Sequence, residues 1–438
     1  MLQISVVVTG IGLRSALGTL GQTWQKLIRG ESGIDIQQPF AEILPRPLAL
    51  IDAVPADLDR LAQSAVNEAI ADAGLALPLP DAGVVIGSSR AYQGKLESLA
   101  SDRYFRRLSG NSNSINPINS APQQSLNQNL QVSNWPGLNS QALSPQTSNL
   151  PASTSQTLSS PSLNLQSLNL QFLQALPCQL STAIALQIGS SGPVLAPMAA
   201  CATGLWAVAQ AYELIQTGQC QQAIAGAAEA PITPLTLAGF QRMGALATTG
   251  AYPFDRGREG LVLGEGAAVF VLESAESAHQ RGVIPYGQIL GFGLGADGCL
   301  SNRPEPAGKS AISTITACLQ RSGLTSEQID YIHGHGTATP VNDAHEARLI
   351  HRLFPENVPV SSTKGATGHT LGASGAIGIA LSCMALKQQI LPPCVGLRDL
   401  EFDLDIVRTP RSGKVTRVLC LSFGFGGQNG AIILGTAP

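Results

Sequence analysis

The sequence predicts an α/β protein whose central sheet is covered by helices on both faces. Three observations carry this prediction: runs of continuously apolar residues, helical stripes between them, and a repeat of this order before and after about residue 250. Continuous apolar runs are typical of strands buried on both faces, and their alternation with helices is typical of α/β folds. The repeat predicts two similar halves, 1–250 and 251–438.

The predicted elements follow in order along the chain. The first is a buried strand over 6–10 that ends at Gly10, and residues 57–73 then carry an apolar stripe at helical spacing. Further strands are predicted over 83–87, 224–229, 264–272, 287–293, 329–333, 358–361 and 419–422, with helices over 273–281 and 309–322. Several of these strands end in polar, glycine-rich loops, which are the candidates for a functional site.

Residues 109–170 differ from the rest of the chain in composition. Asn, Ser, Gln and Pro dominate this segment, and no Asp, Glu, Lys or Arg occurs from Leu108 to Tyr212. So few large apolar side chains cannot build a core, which predicts a low-complexity, disordered insert within the N-terminal half. An adhesive or partner-binding role is the alternative interpretation.

Charge and cysteine content exclude several classes of protein. A net charge of −3 gives no reason to expect binding to nucleic acid or to an anionic membrane surface. None of the eight cysteines forms a C-x-x-C pair, which argues against a zinc site. The longest apolar stretch, from Leu371 to Leu386, is interrupted by glycines and serines and falls short of a membrane span. We therefore expect a reduced, cytoplasmic protein without membrane insertion.

Cys201 is the candidate nucleophile. It lies where an apolar run meets a helical pattern, with Leu205, Val208 and Tyr212 on one stripe. At a helix N-terminus the dipole favours an anion, and such placement lowers a thiol pKa from about 8.5 toward neutrality. A lone buried cysteine is more often a small hydrophobic residue, so the assignment depends on loops further along the chain.

Three later loops, each after a predicted strand, carry polar chemistry: 333–343, 361–369 and 422–429. Half of the six histidines lie in the first two loops. A thiol combined with imidazoles from separate loops is typical of covalent catalysis. His333 and His335 could also suggest a metal site, but no third ligand follows at a suitable spacing, so we expect no metal.

These motifs resemble those of the β-ketoacyl-acyl carrier protein synthases, specifically the elongating type with a Cys-His-His site. The matching blocks are 200–204, 253–267, 335–346, 364–369 and 423–429, and the resemblance covers 5–107 and 172–436. It implies a thiolase-like fold, in which five layers are ordered αβαβα and built from two similar halves. It also implies a homodimer that takes substrates from the phosphopantetheine arm of an acyl carrier protein, without any other cofactor.

The resemblance further implies a decarboxylating Claisen condensation. Cys201 would carry the acyl group, while His335 and His369 would donate hydrogen bonds to the enolate oxygen. The amides of Cys201 and Phe425 would bind the oxyanion. The resemblance assigns the other site residues as follows: an ion pair of Lys364 with Glu346, support from Asp343, an aromatic gate at Phe425 with Phe423, and substrate binding by Thr337, Thr339, Gly426, Gly427, Asn429 and Arg90.

Two positions depart from the pattern of the family. Gly378 stands where these synthases usually have a glutamate, nine residues after the second histidine. Arg90 stands where many of them place an apolar residue that lines the acyl pocket. The pathway stays open between fatty-acid elongation and polyketide or specialised-lipid synthesis. A non-condensing partner subunit and a malonyl decarboxylase are the remaining alternatives.

Overall fold

The computed structural model describes residues 4–109, 172–298 and 304–437. The chain forms two compact units: Met1–Ser98 with Phe172–Pro438, and Leu99–Gln171. The insert predicted over 109–170 lies outside the described residues, apart from Ser109 at the end of a helix.

The described elements begin and end as follows. The strands are β1 Val6–Ser15, β2 Asp35–Gln37, β3 Arg46–Leu48, β4 Gly83–Gly87, β5 Val194–Leu195, β6 Gln222–Glu229, β7 Gly266–Ser274, β8 Gly287–Ala296, β9 Tyr331–His333, β10 Val360–Ser361, β11 Ile390–Leu391, β12 Arg411–Ser412, β13 Arg417–Gly424 and β14 Gln428–Gly435. The helices are α1 Leu20–Ile28, α2 Leu58–Asp72, α3 Gln93–Ser109, α4 Cys178–Ile188, α5 Thr203–Gln216, α6 Pro234–Arg242, α7 Ala275–Gln280, α8 Lys309–Ser322, α9 Pro340–Leu353, α10 Lys364–Thr367 and α11 Ser374–Gln388.

The strand order repeats itself within the described chain. The sheet order is β10-β9-β13-β14-β8-β1-β7-β6-β4-β5, and antiparallel pairing of β1 with β8 joins two sets of five. In chain order the two sets are β1, β4, β5, β6 and β7, and β8, β9, β10, β13 and β14. In each set the first strand along the chain pairs antiparallel with the fifth, and the fifth pairs antiparallel with the fourth. The fourth strand pairs parallel with the second, and the second pairs parallel with the third. The two sets of strands therefore have the same topology.

Helices cover both faces of each five-stranded set. Helices α5 and α11 contact each other and strands of both sets, so they form a central layer. On the outer faces, α2 packs against β1 and β7, and α8 packs against β8 and β14. Three large apolar clusters lie at these interfaces, and the largest surrounds the central helices. This arrangement agrees with the predicted covered sheet and five layers.

The first strand is longer than predicted, because it continues past Gly10 to Ser15. A Cβ at Gly10 would lie 2.2 Å from the carbonyl oxygen of Ala69, and one at Gly12 would lie 1.8 Å from that of Ala65. These glycines therefore permit close packing of α2 on the strand rather than ending it.

Most other predicted elements are present with small shifts at their ends. Helix α8 has the predicted bounds, and the strand predicted over 419–422 extends to Arg417–Gly424. The apolar stretch after Leu371 is long enough to cross a membrane as the helical segment Leu371–Gln388, but 89% of that segment is buried inside the fold. It belongs to the central layer.

The boundary between halves at residue 250 stays a prediction. Strand pairing sets one limit on it, because β7 pairs with β1 and β6 of the first set. By strand order, the first set of five ends at Ser274.

Parallel strands place their carboxyl ends at one edge of each set. The segment before Cys201 follows β5, and the loops of His335, His369 and Phe425 follow β9, β10 and β13. The topology thus delivers polar loops of both halves to one region.

Candidate active site

Cys201 occupies a tight turn at the start of the central helix α5. One 3-10 turn, Ala200–Ala202, separates β5 from α5, and Ala200 has φ of +46°. Such a conformation costs a non-glycine residue about 1–3 kcal/mol and is concentrated at functional sites. The Ser422 hydroxyl donates to the Cys201 carbonyl at 2.9 Å, which ties the turn to the end of β13.

The first histidine loop is held by a buried carboxylate. Glu346 on α9 accepts hydrogen bonds from the amides of His335, at 2.5 Å, and Gly336, at 2.7 Å. The Lys364 ammonium donates to the His335 carbonyl and faces His335 Nδ1 at 3.5 Å. The predicted ion pair of Lys364 with Glu346 thus acts through the loop between them, because no direct salt bridge joins the two side chains. Both charges bind the backbone of one loop, and each stabilises the charge of the other across it.

The second histidine loop is fixed by its backbone rather than by its side chain. The His369 amide donates to the Val262 carbonyl at 2.7 Å, and its carbonyl accepts from the Gly264 amide at 3.1 Å. The His369 Nδ1 atom is buried and has no hydrogen-bond partner among the described residues. A buried polar atom without a partner is costly, so this imidazole is set up to bind a further group.

The three predicted catalytic side chains meet at one point. One ligand-type atom from each of Cys201, His335 and His369 lies within 4.8 Å of the others, and all three residues are buried. The two imidazole rings are perpendicular, with centroids 5.4 Å apart.

Burial decides the protonation state of the thiol. The pKa of Cys201 is raised to about 11, mainly by desolvation, and the nearby Glu229 carboxylate contributes to the rise. The Lys364 charge, the Phe425 amide directed at the sulfur and the Arg90 charge oppose this rise. The pKa near neutrality expected from the helix N-terminus is therefore wrong, because the loss of water around the sulfur outweighs the dipole.

Burial likewise keeps both imidazoles neutral. Desolvation lowers the pKa of His335 and of His369 well below 6.5, and the Lys364 charge lowers both further. An ammonium can only donate, so the contact with Lys364 at 3.5 Å favours His335 Nδ1 as a hydrogen-bond acceptor. The proton of His335 then lies on Nε2, which makes this atom a hydrogen-bond donor.

The closing loop is the turn of the hairpin formed by β13 and β14. Gly426 and Gly427 have φ near +75° and +72°, and a Cβ at Gly427 would lie 2.4 Å from the Asp297 side chain. The Phe425 ring stacks on Phe240 at 5.9 Å between centroids. Phe425 is partly exposed, with 37% of its surface accessible, as expected for a side chain at an entrance.

The other predicted residues divide into two groups. Phe423 packs edge-on against the His335 ring at 5.9 Å, and the hydroxyls of Thr337 and Thr339 lie 2.8 Å apart beside that loop. Asp343 accepts from the Phe254 amide at 2.8 Å, so it supports the neighbouring backbone. The structure does not bring the Asn429 amide to the cysteine, because it donates to Asp297 and Ser310.

Glu229, at the end of β6, is a residue that the sequence did not single out. Its fully buried carboxylate accepts from both hydroxyls and one amide of Ser88 and Ser89, and from the amides of Arg90 and Gly372. These donors lie about 140 residues away on either side of Glu229. One strand-end glutamate carries no sequence signal for such distant partners.

The space expected to hold a family glutamate is occupied by an imidazole. A Cβ at Gly378 would lie 2.9 Å from the His333 ring and 3.0 Å from the Cys420 sulfur. His333 Nε2 lies 3.2 Å from the Thr363 hydroxyl, next to Lys364. Burial lowers the pKa of His333 to about 3, so the ring is neutral. A neutral ring thus fills the site that a carboxylate would need.

Cys201, His335 and His369 also form a set that could ligate a metal, since their donor atoms converge. The residues fit a metal poorly, because a ligating thiol must be deprotonated and burial raises the pKa of Cys201 to about 11. The buried Lys364 ammonium adds a repulsive charge at this point. The neighbouring His333 does not join this set, because its ring contacts the Thr363 hydroxyl.

Comparison with known proteins places the chain in a family. Profiles described as "Beta-ketoacyl synthase, N-terminal domain" and "Beta-ketoacyl synthase, C-terminal domain" match residues 121–278 and 286–398. A Staphylococcus aureus protein named 3-oxoacyl-[acyl-carrier-protein] synthase 2 is 36% identical over 269 residues, which are 59% of this chain and 67% of that protein. A Coxiella burnetii protein of the same name is 38% identical over 263 residues, 57% of this chain and 64% of that protein.

Solved structures agree with the fold. A β-ketoacyl synthase from Burkholderia phymatum superposes with a TM-score of 0.77 at 26% identity, covering 99% of this chain and all of that one. The ishigamide ketosynthase/chain length factor gives 0.80 at 25% identity, with both chains fully covered. A type II polyketide ketosynthase in complex with its acyl-carrier protein gives 0.80 at 24% identity and is similar in fold.

The fold and the converging loops define a class, the α/β enzymes of the thiolase-like fold, as predicted. Within that class, the chain belongs to the β-ketoacyl synthase family. The predicted ketosynthase class is thereby confirmed.

The contact of Gly378 with His333 can be tested through stability. We expect Gly378→Ala to lower the free energy of unfolding by about 1–3 kcal/mol, because the new methyl group overpacks a rigid ring. Gly239→Ala on helix α6 is the matched control, since a Cβ there meets nothing within 4 Å. That control should gain roughly 0.5–1 kcal/mol from helix propensity. Urea unfolding measures both changes.

The second part of this test combines substitutions. His333→Ala should remove much of the cost of Gly378→Ala, since the two side chains compete for one space. Equal stability of Gly378→Ala and Gly239→Ala, or strict additivity of the pair, would contradict the packing described.

Proposed function

We propose that this β-ketoacyl synthase elongates an acyl chain in fatty-acid synthesis, by condensing an acyl thioester on Cys201 with malonyl-acyl carrier protein. The observation that carries the proposal is the meeting of Cys201, His335 and His369 within 4.8 Å in a buried site. The names of the Staphylococcus aureus and Coxiella burnetii relatives support the substrate class.

The first step transfers the acyl group. The Cys201 sulfur attacks the thioester carbonyl to form a tetrahedral oxyanion, which collapses as the bond to the pantetheine sulfur breaks. Because the thiol is neutral, its proton must leave, and it ends on the departing pantetheine sulfur. A neutral imidazole next to the thiol is a suitable relay. The Phe425 amide, already directed at the sulfur, is positioned to stabilise the oxyanion that forms beside it.

The second step forms the new carbon–carbon bond. Malonyl thioester loses carbon dioxide, and the electron pair left behind forms an enolate. The enolate carbon attacks the acyl carbon on Cys201, and the sulfur leaves and regains a proton. His335 Nε2 and His369 donate hydrogen bonds to the enolate oxygen, a role suited to neutral imidazoles.

The remaining residues support these steps. Glu346, Lys364 and Asp343 hold the first histidine loop and its neighbours in place. Phe425 and Phe423 act as the gate between the acyl pocket and the malonyl site. Substrate binding falls to the remaining predicted residues, which are Thr337, Thr339, Gly426, Gly427 and Arg90.

The steps of this mechanism are acyl transfer, loss of carbon dioxide, formation of a carbon–carbon bond and proton transfer. We propose that they require no metal or redox cofactor. The substrates reach the site on the phosphopantetheine of an acyl carrier protein, and we propose a cytoplasmic location for the enzyme. The presence of Cys201 in the cluster favours condensation over a purely decarboxylating or a non-condensing subunit.

We propose that the enzyme is a homodimer formed through strand β5. This strand lies at the edge of the described sheet, and its residues Val194 and Leu195 are exposed. Leu186, on the adjacent helix α4, and Met198 are also exposed, at 78% and 53%. An exposed edge strand with apolar neighbours is a template for pairing with a second copy. The halves 1–250 and 251–438 would each contribute loops to one site per subunit.

The histidine assignments predict a loss of decarboxylation activity. His335→Ala and His369→Ala should each slow release of carbon dioxide from malonyl-acyl carrier protein by about 10²–10³, because one enolate donor is lost. His351→Ala is the matched control, an exposed histidine near the end of helix α9. Carbon dioxide release from labelled substrate gives the rate. Unchanged decarboxylation in both site variants would contradict the assignment.

The nucleophile has its own prediction. Cys201→Ser should lose acyl transfer, because an alkoxide is far harder to form than a thiolate in a buried site, yet keep the fold. Mass spectrometry of the protein after exposure to acyl-carrier thioesters detects the adduct, and product analysis detects the 3-ketoacyl chain. An adduct on another residue, or full condensation by Cys201→Ser, would rule out the nucleophile proposed.

The dimer proposal is tested by charge at the edge strand. Leu195→Lys should shift the protein toward monomer, because a buried ammonium at the interface lacks a partner. Ile284→Lys is the control, since Ile284 is 88% exposed and lies away from β5 in the chain. Sedimentation velocity measures the mass. A dimer that persists in both Leu195→Lys and Val194→Lys would contradict pairing through β5.

A further inference from the structure

The guanidinium of Arg90 lies over the Phe240 ring and has no ion-pair partner among the side chains that the structure describes. Its central carbon is 5.2 Å from the centroid of the Phe240 ring. Among the described side chains of residues 4–101, 172–298 and 304–437, no carboxylate lies within ion-pair distance of it. A half-buried cation without a partner next to apolar surface is costly, and a ligand that supplies the missing charge would gain from it.

The backbone holds Arg90 firmly in this position. Its amide donates to Glu229 at 2.9 Å, and the following amide of Ala91 donates to the Ser88 hydroxyl at 2.9 Å. Ala91 has φ of +46°, a strained conformation for a residue other than glycine. Since Glu229 is saturated by amides and hydroxyls, it does not pair with the Arg90 guanidinium, which lies over the Phe240 ring instead.

The space between Arg90 and the nucleophile is apolar. Cys201 belongs to a cluster of buried side chains that includes Phe240, Ile232, Leu237 and Leu371. Arg90 stacks on Phe240, and Phe240 stacks on the gate residue Phe425. The order outward from the sulfur is therefore an apolar lining and then a cation. An acyl group that matches it has apolar carbons near the thioester and an anionic group further along.

We propose that Arg90 selects acyl groups whose far end carries a carboxylate, that is, monothioesters of dicarboxylic acids. The guanidinium would bind the carboxylate by two parallel hydrogen bonds while remaining stacked on Phe240. A methyl-ended chain of the same length would cover the cation without replacing its hydrogen bonds to water. This inference rests on the proposed acylation of Cys201 and names the substrate class of that step.

The test compares matched acyl thioesters on the full-length enzyme. Succinyl and butyryl, adipoyl and hexanoyl, and suberoyl and octanoyl thioesters of N-acetylcysteamine differ within each pair at the far end only. Rates of Cys201 acylation are followed by mass spectrometry. We expect the carboxylate member of at least one pair to react about tenfold faster or more, the range for a hydrogen bond to a charged group.

Substitutions assign the preference to Arg90. Arg90→Leu and Arg90→Gln should each abolish the preference for the carboxylate member, measured as the ratio of the two acylation rates within each pair. Arg321→Leu is the matched control, because Arg321 also stacks on a phenylalanine, Phe292 at 4.0 Å, but pairs with Glu213. That variant should keep the preference of the parent.

Three outcomes would overturn the inference. The parent enzyme reacts faster with the methyl-ended member of every pair, or both Arg90 variants keep the preference of the parent. Alternatively, the Arg90 variants lose the dimer without a change in preference, which would place Arg90 at a subunit contact. Failure of every thioester to acylate Cys201 is a different result, since it would contradict the proposed function itself.

Discussion

The buried ammonium of Lys364 is the charge on which the chemistry of this site depends. It donates to the His335 carbonyl and faces the ring nitrogen of the same residue at 3.5 Å. Its field lowers the pKa of His335, of His369 and of the Cys201 thiol together. One cation thus adds to the effect of burial, which keeps the two imidazoles neutral, and opposes the rise in the pKa of the nucleophile. A buried charge is stable only with compensation, and Glu346 supplies it from the other side of the loop.

Two buried carboxylates hold the loops that this cation organises. Glu346 binds the amides of the first histidine loop, and Glu229 binds the segment after β4 together with Gly372, which follows the second histidine. Glu229 comes from the first set of strands and Gly372 lies between β10 and β13 of the second, so this carboxylate joins the two halves at the site. The repeated topology delivers the loops to one region, and the carboxylates then fix their positions, which is how a catalytic group is held in advance of reaction.

The sequence was sufficient for features that depend on neighbours in the chain. Helix α8 and the loops after β9, β10 and β13 follow from local periodicity and from the position of strand ends. Features set by distant contacts could not be read in this way. The strand beyond Gly10 depends on the approach of α2, the raised pKa of Cys201 depends on burial by several elements, and the role of Glu229 depends on donors about 140 residues away. The sequence predicted that Lys364 and Glu346 act as a pair. The structure adds that they act through the backbone of His335, whose carbonyl binds Lys364 and whose amide binds Glu346.

The central claim is that neutral imidazoles, with the proton of His335 on Nε2, serve as donors beside a protonated thiol. Nitrogen-15 NMR of the histidine side chains, with His335→Gln and His369→Gln for assignment, measures the charge and tautomer of each ring directly. The account predicts that neither ring titrates as the pH passes through 6.5 and that His335 carries its proton on Nε2. An imidazolium at neutral pH, or a His335 proton on Nδ1, would contradict it.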